Sequence, residues 1–347
     1  MNDPKTLFGG KKITVMGLGL LGGVGDIRFL AEAGADLIVT DLKTEEQAQL
    51  SLEALKDFPN IRYTLGRHEL SDFRERDLII KAPSTPFDSP FIVEAKKSGI
   101  PVTMWAALFS RIARERGATI VGVTGTRGKT TTTTMIAETL NLVRKNVIVG
   151  GNTPGSSMLP QLSQLTSDSI VVLELDSWKL QGFTEEGLSP NVSVFTTFYP
   201  DHLNYYKGSM DAYLLDKAAI FLNQKEGDML VLGEQCAGMV LAKFKERIKA
   251  TVVVAKAGET EGWNLQVPGA HNRLNAACAA AALRTLSLSE SEIKEGLERF
   301  KGVPGRLEHI TTLGGVDVYN DTTATTPDAV RTALMTLKEL GKSTVLI

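Results

Sequence analysis

The sequence predicts an α/β fold in several domains, with parallel sheets covered by helices on both faces. Short apolar runs rich in Val and Ile alternate with helical stretches along the whole chain, a pattern typical of such sheets. The chain has 347 residues, more than one hydrophobic core usually accommodates. We therefore predict a Rossmann-like domain over 1–117, a central doubly wound domain over 118–302, and the beginning of a third Rossmann-like domain over 303–347.

The predicted strands follow one another along the first two domains. They are KITVMG, DLIVTD, DLIIKAP and GIPVTM in the first domain, and ATIVGVTG, SIVVLELD, NVSVFTTF, DMLVLG and ATVVVA in the central domain. Each combines β-branched and aliphatic residues in a short run. An Ala-rich helix is predicted around HNRLNAACAAAALRTL.

The last predicted domain is short. VDVYND and STVLI are typical of strands, and between them we predict a helix with Thr326 as N-cap, Pro327 as its first residue and Gly341 at its end. A strand, a helix and a strand of roughly 45 residues bury too little surface to fold alone. We therefore expect this domain either to be cut short or to be completed by contacts with the second.

The composition excludes several classes of function. A formal net charge of −2 gives no electrostatic basis for binding nucleic acid or an anionic membrane. No apolar run approaches the ~20 residues that a membrane span needs. Cys236 and Cys278 lie far apart without metal-ligand spacing, and the N-terminus lacks an apolar signal segment. We expect a soluble cytoplasmic protein that is a monomer by default.

A glycine-rich turn, GLGLLG, directly follows the first predicted strand. Gly17, Gly19 and Gly22 allow the backbone to approach a pyrophosphate at a helix N-terminus. Asp41, at the end of the next strand, can reach a ribose hydroxyl. The pattern predicts binding of a nucleotide pyrophosphate. It also fits NAD, and it fits a tight turn that binds nothing.

A second loop, GVTGTRGKTT, again lies between a β-run and a helix. Gly125 and Gly128 permit a tight loop, Lys129 can reach the β- and γ-phosphates of a nucleotide, and Thr130 can bind Mg²⁺. Val123 stands five positions before Gly128, where the common P-loop pattern has glycine, so this loop is a variant. It predicts a central domain of the P-loop ATPase type.

Acidic side chains and a histidine follow two of the central strands. Glu174 and Asp176 end SIVVLELD, and Asp201 and His202 come after NVSVFTT. Ligands of open α/β sheets collect at the carboxyl ends of strands, and Mg²⁺ prefers oxygen ligands. We interpret these residues as candidates for a metal site, while each taken alone also fits a surface acid or a loop histidine.

Lys217 falls in the middle of an apolar helical stripe. The stripe lies in SMDAYLLDKAAIFLNQ and contains Met210, Tyr213, Leu214, Ala218 and Phe221. One interpretation is a lysine whose stem covers the core while its ammonium reaches water. The other is a lysine directed into a site, where it pairs with phosphate or is chemically modified.

Together these motifs resemble those of the Mur ligases of bacterial cell-wall synthesis, which share their central domain with folylpolyglutamate synthase. The resemblance covers about 10–330 and rests on GVTGTRGKTT, LELDSWKLQGF, PDHLNYY, Lys217, GAHNRLNAACAAAA, and GVPGRLEHI followed by NDTTATTPDA. GLGLLG with Asp41, and the stretch DSPFIVEAKKSGIPVTMWAALF, are most similar to the member that adds D-glutamate to UDP-N-acetylmuramoyl-L-alanine.

The resemblance implies amide formation through an acyl phosphate, with UDP-N-acetylmuramoyl-L-alanine, D-glutamate and ATP as substrates and two Mg²⁺ ions. It implies catalytic roles for Lys129, His202 and Lys217, the last as an N-carbamate. The implied metal ligands are Thr130, Glu174, His202 and Lys217. The implied ATP contacts are Gly125, Thr126, Arg127, Gly128, Lys129, Thr130, Thr131, Asn272, Asn275, Arg306 and Asp321. The implied contacts of the UDP-linked substrate are Gly17, Leu18, Gly19, Leu20, Leu21, Asp41, Asn152 and His202.

The chain departs from the family pattern at Asp176 and Lys179, where the family usually has Ser and Gln. With a shortened third domain, ligation by this chain is expected to be weak. Three other functions fit part of the motifs: a related ligase of the folylpolyglutamate synthase type, an NAD-dependent oxidoreductase built on GLGLLG, and a non-enzymatic nucleotide-binding module.

Overall fold

The computed structural model describes residues 3–20, 23–151, 157–325, 327–341 and 343–346. Four residues singled out from the sequence, Leu21, Gly22, Asn152 and Thr326, lie outside these ranges. The predictions that involve them therefore stay predictions.

The strands alternate with helices along most of the chain. The strands are β1 (Lys12–Met16), β2 (Asp36–Asp41), β3 (Ile61–Leu65), β4 (Leu78–Ile80), β5 (Val102–Thr103), β6 (Thr119–Thr124), β7 (Val147–Gly151), β8 (Ile170–Glu174), β9 (Val192–Phe195), β10 (Met229–Gly233), β11 (Thr251–Ala255), β12 (Glu308–Leu313) and β13 (Val316–Asn320). The helices are α1 (Pro4–Phe8), α2 (Gly23–Glu32), α3 (Glu45–Glu53), α4 (Pro90–Lys97), α5 (Trp105–Glu115), α6 (Lys129–Leu142), α7 (Ser177–Glu185), α8 (Met210–Leu222), α9 (Glu234–Phe244), α10 (Ala270–Thr285), α11 (Glu290–Arg299) and α12 (Pro327–Glu339). Short 3₁₀ helices span Leu70–Phe73, Leu159–Gln164, Lys245–Arg247 and Ala257–Thr260.

The N-terminal sheet has the strand order β3-β2-β1-β4-β5. Its neighbouring strands pair in parallel, with Ile13 opposite both Leu37 and Leu78. This is the order of a dinucleotide-binding sheet, in which the topological switch falls between β1 and β4. The Rossmann-like prediction is therefore confirmed for this part of the chain.

The larger sheet has the strand order β11-β10-β9-β6-β8-β7. The pairs β6–β9, β9–β10 and β10–β11 are parallel. β8 is buried along its whole length, and β6 is buried from its second residue onward. Strands buried on both faces need continuous apolar runs, which explains why these strands could be predicted from the sequence.

The chain forms two compact units. The first contains 1–120, 148–191 and 203–224, and the second contains 121–147, 192–202 and 225–347. β6 contributes its first two residues to the first unit and the remainder to the second. The proposed division into three domains stays a prediction.

The C-terminal region differs in part from expectation. β12 and β13 pair antiparallel, α12 begins at Pro327 as predicted, and Gly341 has a φ of +74°. The predicted strand STVLI is wrong, because 343–346 have no regular secondary structure. Within the described ranges β12 and β13 pair only with each other, and Val345 is 86% exposed. A β-prone segment without a partner strand leaves its backbone groups to water.

No helix in the part of the chain that the structure describes is both long enough and apolar enough to cross a membrane.

Candidate active site

The phosphate loop connects the end of β6 to the start of α6, in the second unit. Its two glycines have positive φ, +149° at Gly125 and +86° at Gly128. A Cβ on Gly125 would overlap the Thr196 hydroxyl, and a Cβ on Gly128 would overlap the Asn275 side chain. Both positions therefore require glycine for reasons of conformation and of space.

Two threonines after β9 brace the loop. The hydroxyls of Thr196 and Thr197 donate to the Arg127 carbonyl, at 2.5 and 3.0 Å, and the Arg127 amide donates to the Thr197 hydroxyl at 3.0 Å. The Thr126 amide donates to the Thr197 carbonyl at 2.8 Å. Sequence reasoning missed both threonines. The available signal was a pair of hydroxyl side chains directly after a buried strand.

Lys129 is the first residue of α6, and Thr130 and Thr131 follow in the first helical turn. The Lys129 ammonium donates to the Thr126 carbonyl at 3.3 Å, so it lies over the loop. A helix N-terminus and a lysine next to it together attract phosphate. The structure therefore brings together the lysine, the hydroxyls and the tight loop that the sequence predicted.

Arg306 also lies against this loop. One of its guanidinium nitrogens donates to the Thr130 hydroxyl at 2.9 Å, across 176 positions of sequence. The Asp321 carboxylate accepts the Leu307 amide at 2.9 Å and so supports the segment that carries Arg306. Both residues were predicted ATP contacts. The structure places Arg306 at the phosphate loop and gives Asp321 a supporting contact beside it.

Two asparagines of α10 complete this side of the loop. Asn272 is 9% exposed and Asn275 is 4% exposed. The Asn275 amide donates to the Asn272 side-chain oxygen at 3.1 Å, and the Asn272 amide donates to the Pro268 carbonyl at 2.8 Å. Asn275 is thus held where it contacts Gly128.

His202 and Asp201 follow β9. His202 has a φ of +52°, and its amide donates to the Asp201 carboxylate at 2.9 Å. Asp201 also lies 3.8 Å from an Arg127 guanidinium nitrogen. The His202 side chain is 39% exposed, so it is accessible to a ligand.

Glu174 lies in the first unit, at the end of β8, and is 6% exposed. Two positions on, Asp176 is the N-cap of α7 and accepts the Lys179 amide at 2.8 Å. The Lys179 ammonium forms an ion pair with the same carboxylate at 3.1 Å. The two departures from the family pattern therefore pair with each other, beside a candidate metal ligand.

Lys217 is buried in α8, as the apolar stripe predicted. The residue is only 2% exposed, which excludes the interpretation that its ammonium reaches water. The ammonium lies 4.9 Å from the centre of the Tyr213 ring, within the range of a cation–π contact. Lys217 is thus a buried lysine directed into the protein. Its chemical modification stays a prediction.

The glycine-rich turn after β1 is held by Asp41. One carboxylate oxygen of Asp41 accepts the Leu18 amide at 2.6 Å, and the other accepts the Lys43 amide at 2.9 Å. Leu18 is fully buried, whereas Leu20 is 52% exposed. Asp41 therefore already has a structural role in the turn, which the sequence pattern did not indicate.

Two of the four side chains predicted to bind Mg²⁺ carry oxygen ligands of the kind that this ion prefers. The Thr130 hydroxyl and the Glu174 carboxylate are hard oxygen ligands, and Mg²⁺ usually takes one or two carboxylates together with phosphate oxygens. In the described part of the chain, no three His, Cys, Asp or Glu side chains form a cluster that could hold a metal ion by themselves.

The phosphate loop, its bracing threonines and the strand order define an α/β protein of the P-loop nucleotide-binding class. The sequence model of the Mur ligase middle domain matches residues 123–254, and that of the MurD-like Mur ligase N-terminal domain matches residues 11–104. The chain belongs to the Mur ligase family. It is therefore an ATP-dependent ligase that forms a carbon–nitrogen bond.

Curated relatives support the same family. A UDP-N-acetylmuramoylalanine–D-glutamate ligase of Roseiflexus sp. (strain RS-1) is 36% identical, over 95% of this chain and 76% of the relative. An enzyme of the same name from Borreliella burgdorferi (strain ZS7) is 32% identical, over 93% of this chain and 74% of the relative.

Solved structures support the fold. UDP-N-acetylmuramate–alanine ligase MurC from Thermotoga maritima gives a TM-score of 0.57 at 24% identity, covering 95% of this chain and 78% of that one. A murein peptide ligase from Psychrobacter arcticus 273-4 gives 0.59 at 18% identity, covering 95% and 76%. The α/β fold predicted from the sequence is thus confirmed.

Proposed function

We propose that this chain adds D-glutamate to UDP-N-acetylmuramoyl-L-alanine with ATP, a step in peptidoglycan precursor synthesis. The observation that carries the proposal is the phosphate loop at 125–128, formed on a chain that is 36% identical over 95% of its length to a ligase of that name. A loop that binds phosphate accounts for the use of ATP, and the named relatives support the choice of acceptor and amino acid.

A carboxylate is a poor electrophile, so the reaction needs activation before an amine can attack. The terminal carboxylate of the acceptor attacks the γ-phosphorus of ATP, and the bond between the γ-phosphorus and the β,γ-bridging oxygen breaks to release ADP. The amine of D-glutamate then attacks the acyl phosphate carbonyl, loses a proton and expels inorganic phosphate. The protein contributes mainly by positioning the reactants and neutralising charge.

Within this reaction, Lys129 and the loop amides hold the phosphates of ATP, with Arg306 beside Thr130 as a further cation. Asn272 and Asn275 of α10 would line the adenine region. The Lys129 ammonium over the loop and the Arg306–Thr130 contact of 2.9 Å support the proposed phosphate roles of these two residues.

In the proposed reaction, two Mg²⁺ ions would supply positive charge against the phosphate and the acceptor carboxylate. The candidate ligands are Thr130 and His202 in the second unit, and Glu174 and Lys217 in the first. Lys217 would bind as an N-carbamate, because carbamylation converts a buried cation into an anionic oxygen ligand. Lys217 is 2% exposed, so its side chain is directed into the protein, as the proposed role requires.

The turn after β1 would hold the UDP part, through Gly17, Leu18, Gly19, Leu20, Leu21 and Asp41. Asn152 and His202 would contact the muramoyl part. We further propose that the protein acts as a monomer in the cytoplasm, where UDP-linked precursors and ATP are available.

The test is phosphate release from ATP with UDP-N-acetylmuramoyl-L-alanine and a panel of D- and L-amino acids. We expect release to depend on D-glutamate and to be lost in Lys129→Ala, while Lys145→Ala on the protein surface keeps it. Release that depends on a folate acceptor would support the folylpolyglutamate synthase alternative. Tight NADH binding without UDP binding would support the oxidoreductase.

A further inference from the structure

In the first unit, a hydrogen-bonded network joins α7 to α8. The Asp216 carboxylate, one residue before Lys217, accepts two hydrogen bonds on the same oxygen. The Gln181 amide of α7 donates at 2.7 Å, and the Tyr206 hydroxyl, from the segment before α8, donates at 3.0 Å. The Gln181 amide also lies 3.2 Å from the Tyr205 hydroxyl. One carboxylate thus connects three segments of chain.

Aromatic rings run through the same region. The ring centres of Trp178 and Tyr205 are 5.5 Å apart, those of Tyr205 and Tyr206 are 4.9 Å apart, and those of Tyr206 and Tyr213 are 5.1 Å apart. The Lys217 ammonium lies over the last of these rings, at 4.9 Å. The series therefore leads from the second residue of α7 to the candidate metal ligand on α8.

The placement of α7 explains why this network matters. α7 begins at Ser177, three residues after Glu174, and Asp176 caps its first turn. A rotation or shift of α8 against α7 would change the distance between the side chains of Lys217 and Glu174. Hydrogen bonds are directional, so they resist such a shift better than ring packing does.

We propose that Tyr206 and Asp216 are positioning residues that fix Lys217 relative to α7 and the strand end at Glu174. Neither residue is required to touch the metal, ATP or the acceptor. The inference rests on the proposed function for the assignment of Glu174 and Lys217 as metal ligands. Outer contacts of this kind set the orientation of the ligands themselves and thereby the affinity for the ion.

The experiment measures Mn²⁺ binding to the protein by electron paramagnetic resonance, with ADP and bicarbonate present and no turnover. Tyr206→Phe and Asp216→Ala should each weaken the protein-dependent Mn²⁺ binding roughly tenfold or more. Asp216→Asn keeps an acceptor oxygen and should stay within about threefold of the parent protein. Tyr63→Phe on β3 is the matched control for loss of a hydroxyl and should bind Mn²⁺ normally. Steady-state ligation provides a second readout, in which the KM for Mg²⁺ rises and the KM for ATP stays within about twofold.

Three results would overturn the inference in distinguishable ways. Mn²⁺ binding by Tyr206→Phe equal to that of the parent protein would exclude a positioning role. An equal loss of Mn²⁺ affinity in Asp216→Asn and Asp216→Ala would show that the negative charge of Asp216 supports Mn²⁺ binding, and that its hydrogen bonds do not. A parent protein that binds no more Mn²⁺ than ADP alone would remove the metal ligands of the proposed function, and the positioning role with them. Circular dichroism of each variant verifies folding, and Asp216→Ala replaces Tyr206→Phe should the latter fail to fold.

Discussion

Asp26 provides a direct test of the electrostatics of the first unit. The residue lies in α2, is 2% exposed, and accepts the Leu159 amide at 2.6 Å. Burial raises its pKa from 3.8 to about 7, although hydrogen bonds from the Leu159 and Met158 amides act in the opposite direction. The Asp26 carboxylate thus connects α2 to the 3₁₀ helix Leu159–Gln164. Its burial disfavours the ionised form.

The sign of the effect follows from proton binding. Because the pKa of Asp26 is higher in the folded than in the unfolded chain, the folded state binds more protons between pH 3.8 and about pH 7. The free energy of unfolding contributed by this group therefore falls as the pH rises through that window. Between pH 5 and pH 7, pKa values of 3.8 and about 7 give a loss of about 2 kcal/mol.

Asp26→Asn removes the ionisation and keeps an oxygen that can accept the Leu159 amide. The buried amide group of the variant shifts the free energy of unfolding by an amount that does not depend on pH. The informative quantity is therefore the change of this free energy with pH. We expect the difference in free energy of unfolding between parent and variant to change by about 2 kcal/mol from pH 5 to pH 7, in favour of the variant. Urea unfolding at both pH values, followed by tryptophan fluorescence, measures it. Parallel pH profiles for the two proteins would refute the reasoning, because all other titrating groups are shared.

Three further predictions concern the second unit. Lys129→Ala should weaken ADP binding by roughly 30-fold or more, because a charge-assisted phosphate contact is lost. Calorimetry measures this affinity, and the control Lys145→Ala should bind ADP normally. Gly128→Ala should cost about 1–3 kcal/mol of stability, because its φ is +86° and the new Cβ meets Asn275. An unchanged melting temperature would contradict that steric argument. Ser289→Ala removes the capping box of α11 and should lower the stability of the protein by about 1 kcal/mol, measured by thermal denaturation. A loss of stability below the error of the measurement would show that the cap is not needed.

The strands that could be predicted are those with continuous apolar runs, such as β8, which is buried throughout. β3 was missed because only its first residue is buried, and Arg62 and Tyr63 break the apolar pattern of an edge strand. β7 was missed because it ends in two glycines. STVLI shows the reverse error, since β propensity alone does not supply a partner strand.

The same distinction applies to the site. The phosphate loop and Glu174 follow strand ends, so their spacing is visible in the sequence. The Asp216 network joins residues up to 35 positions apart, through contacts that depend on how α7 packs against α8. No periodicity in one sequence contains that information.

Asp41 shows why a structural role and a binding role need not exclude each other. A carboxylate has about four acceptor sites, and the Leu18 and Lys43 amides use one on each oxygen. The remaining lone pairs can still accept a hydroxyl from a ribose or another ligand group. The two amide contacts fix the carboxylate at the turn after β1, so a ligand that binds there does not have to order it. A residue that first shapes the turn is thus better prepared to bind, because the entropy of ordering its side chain is lost during folding.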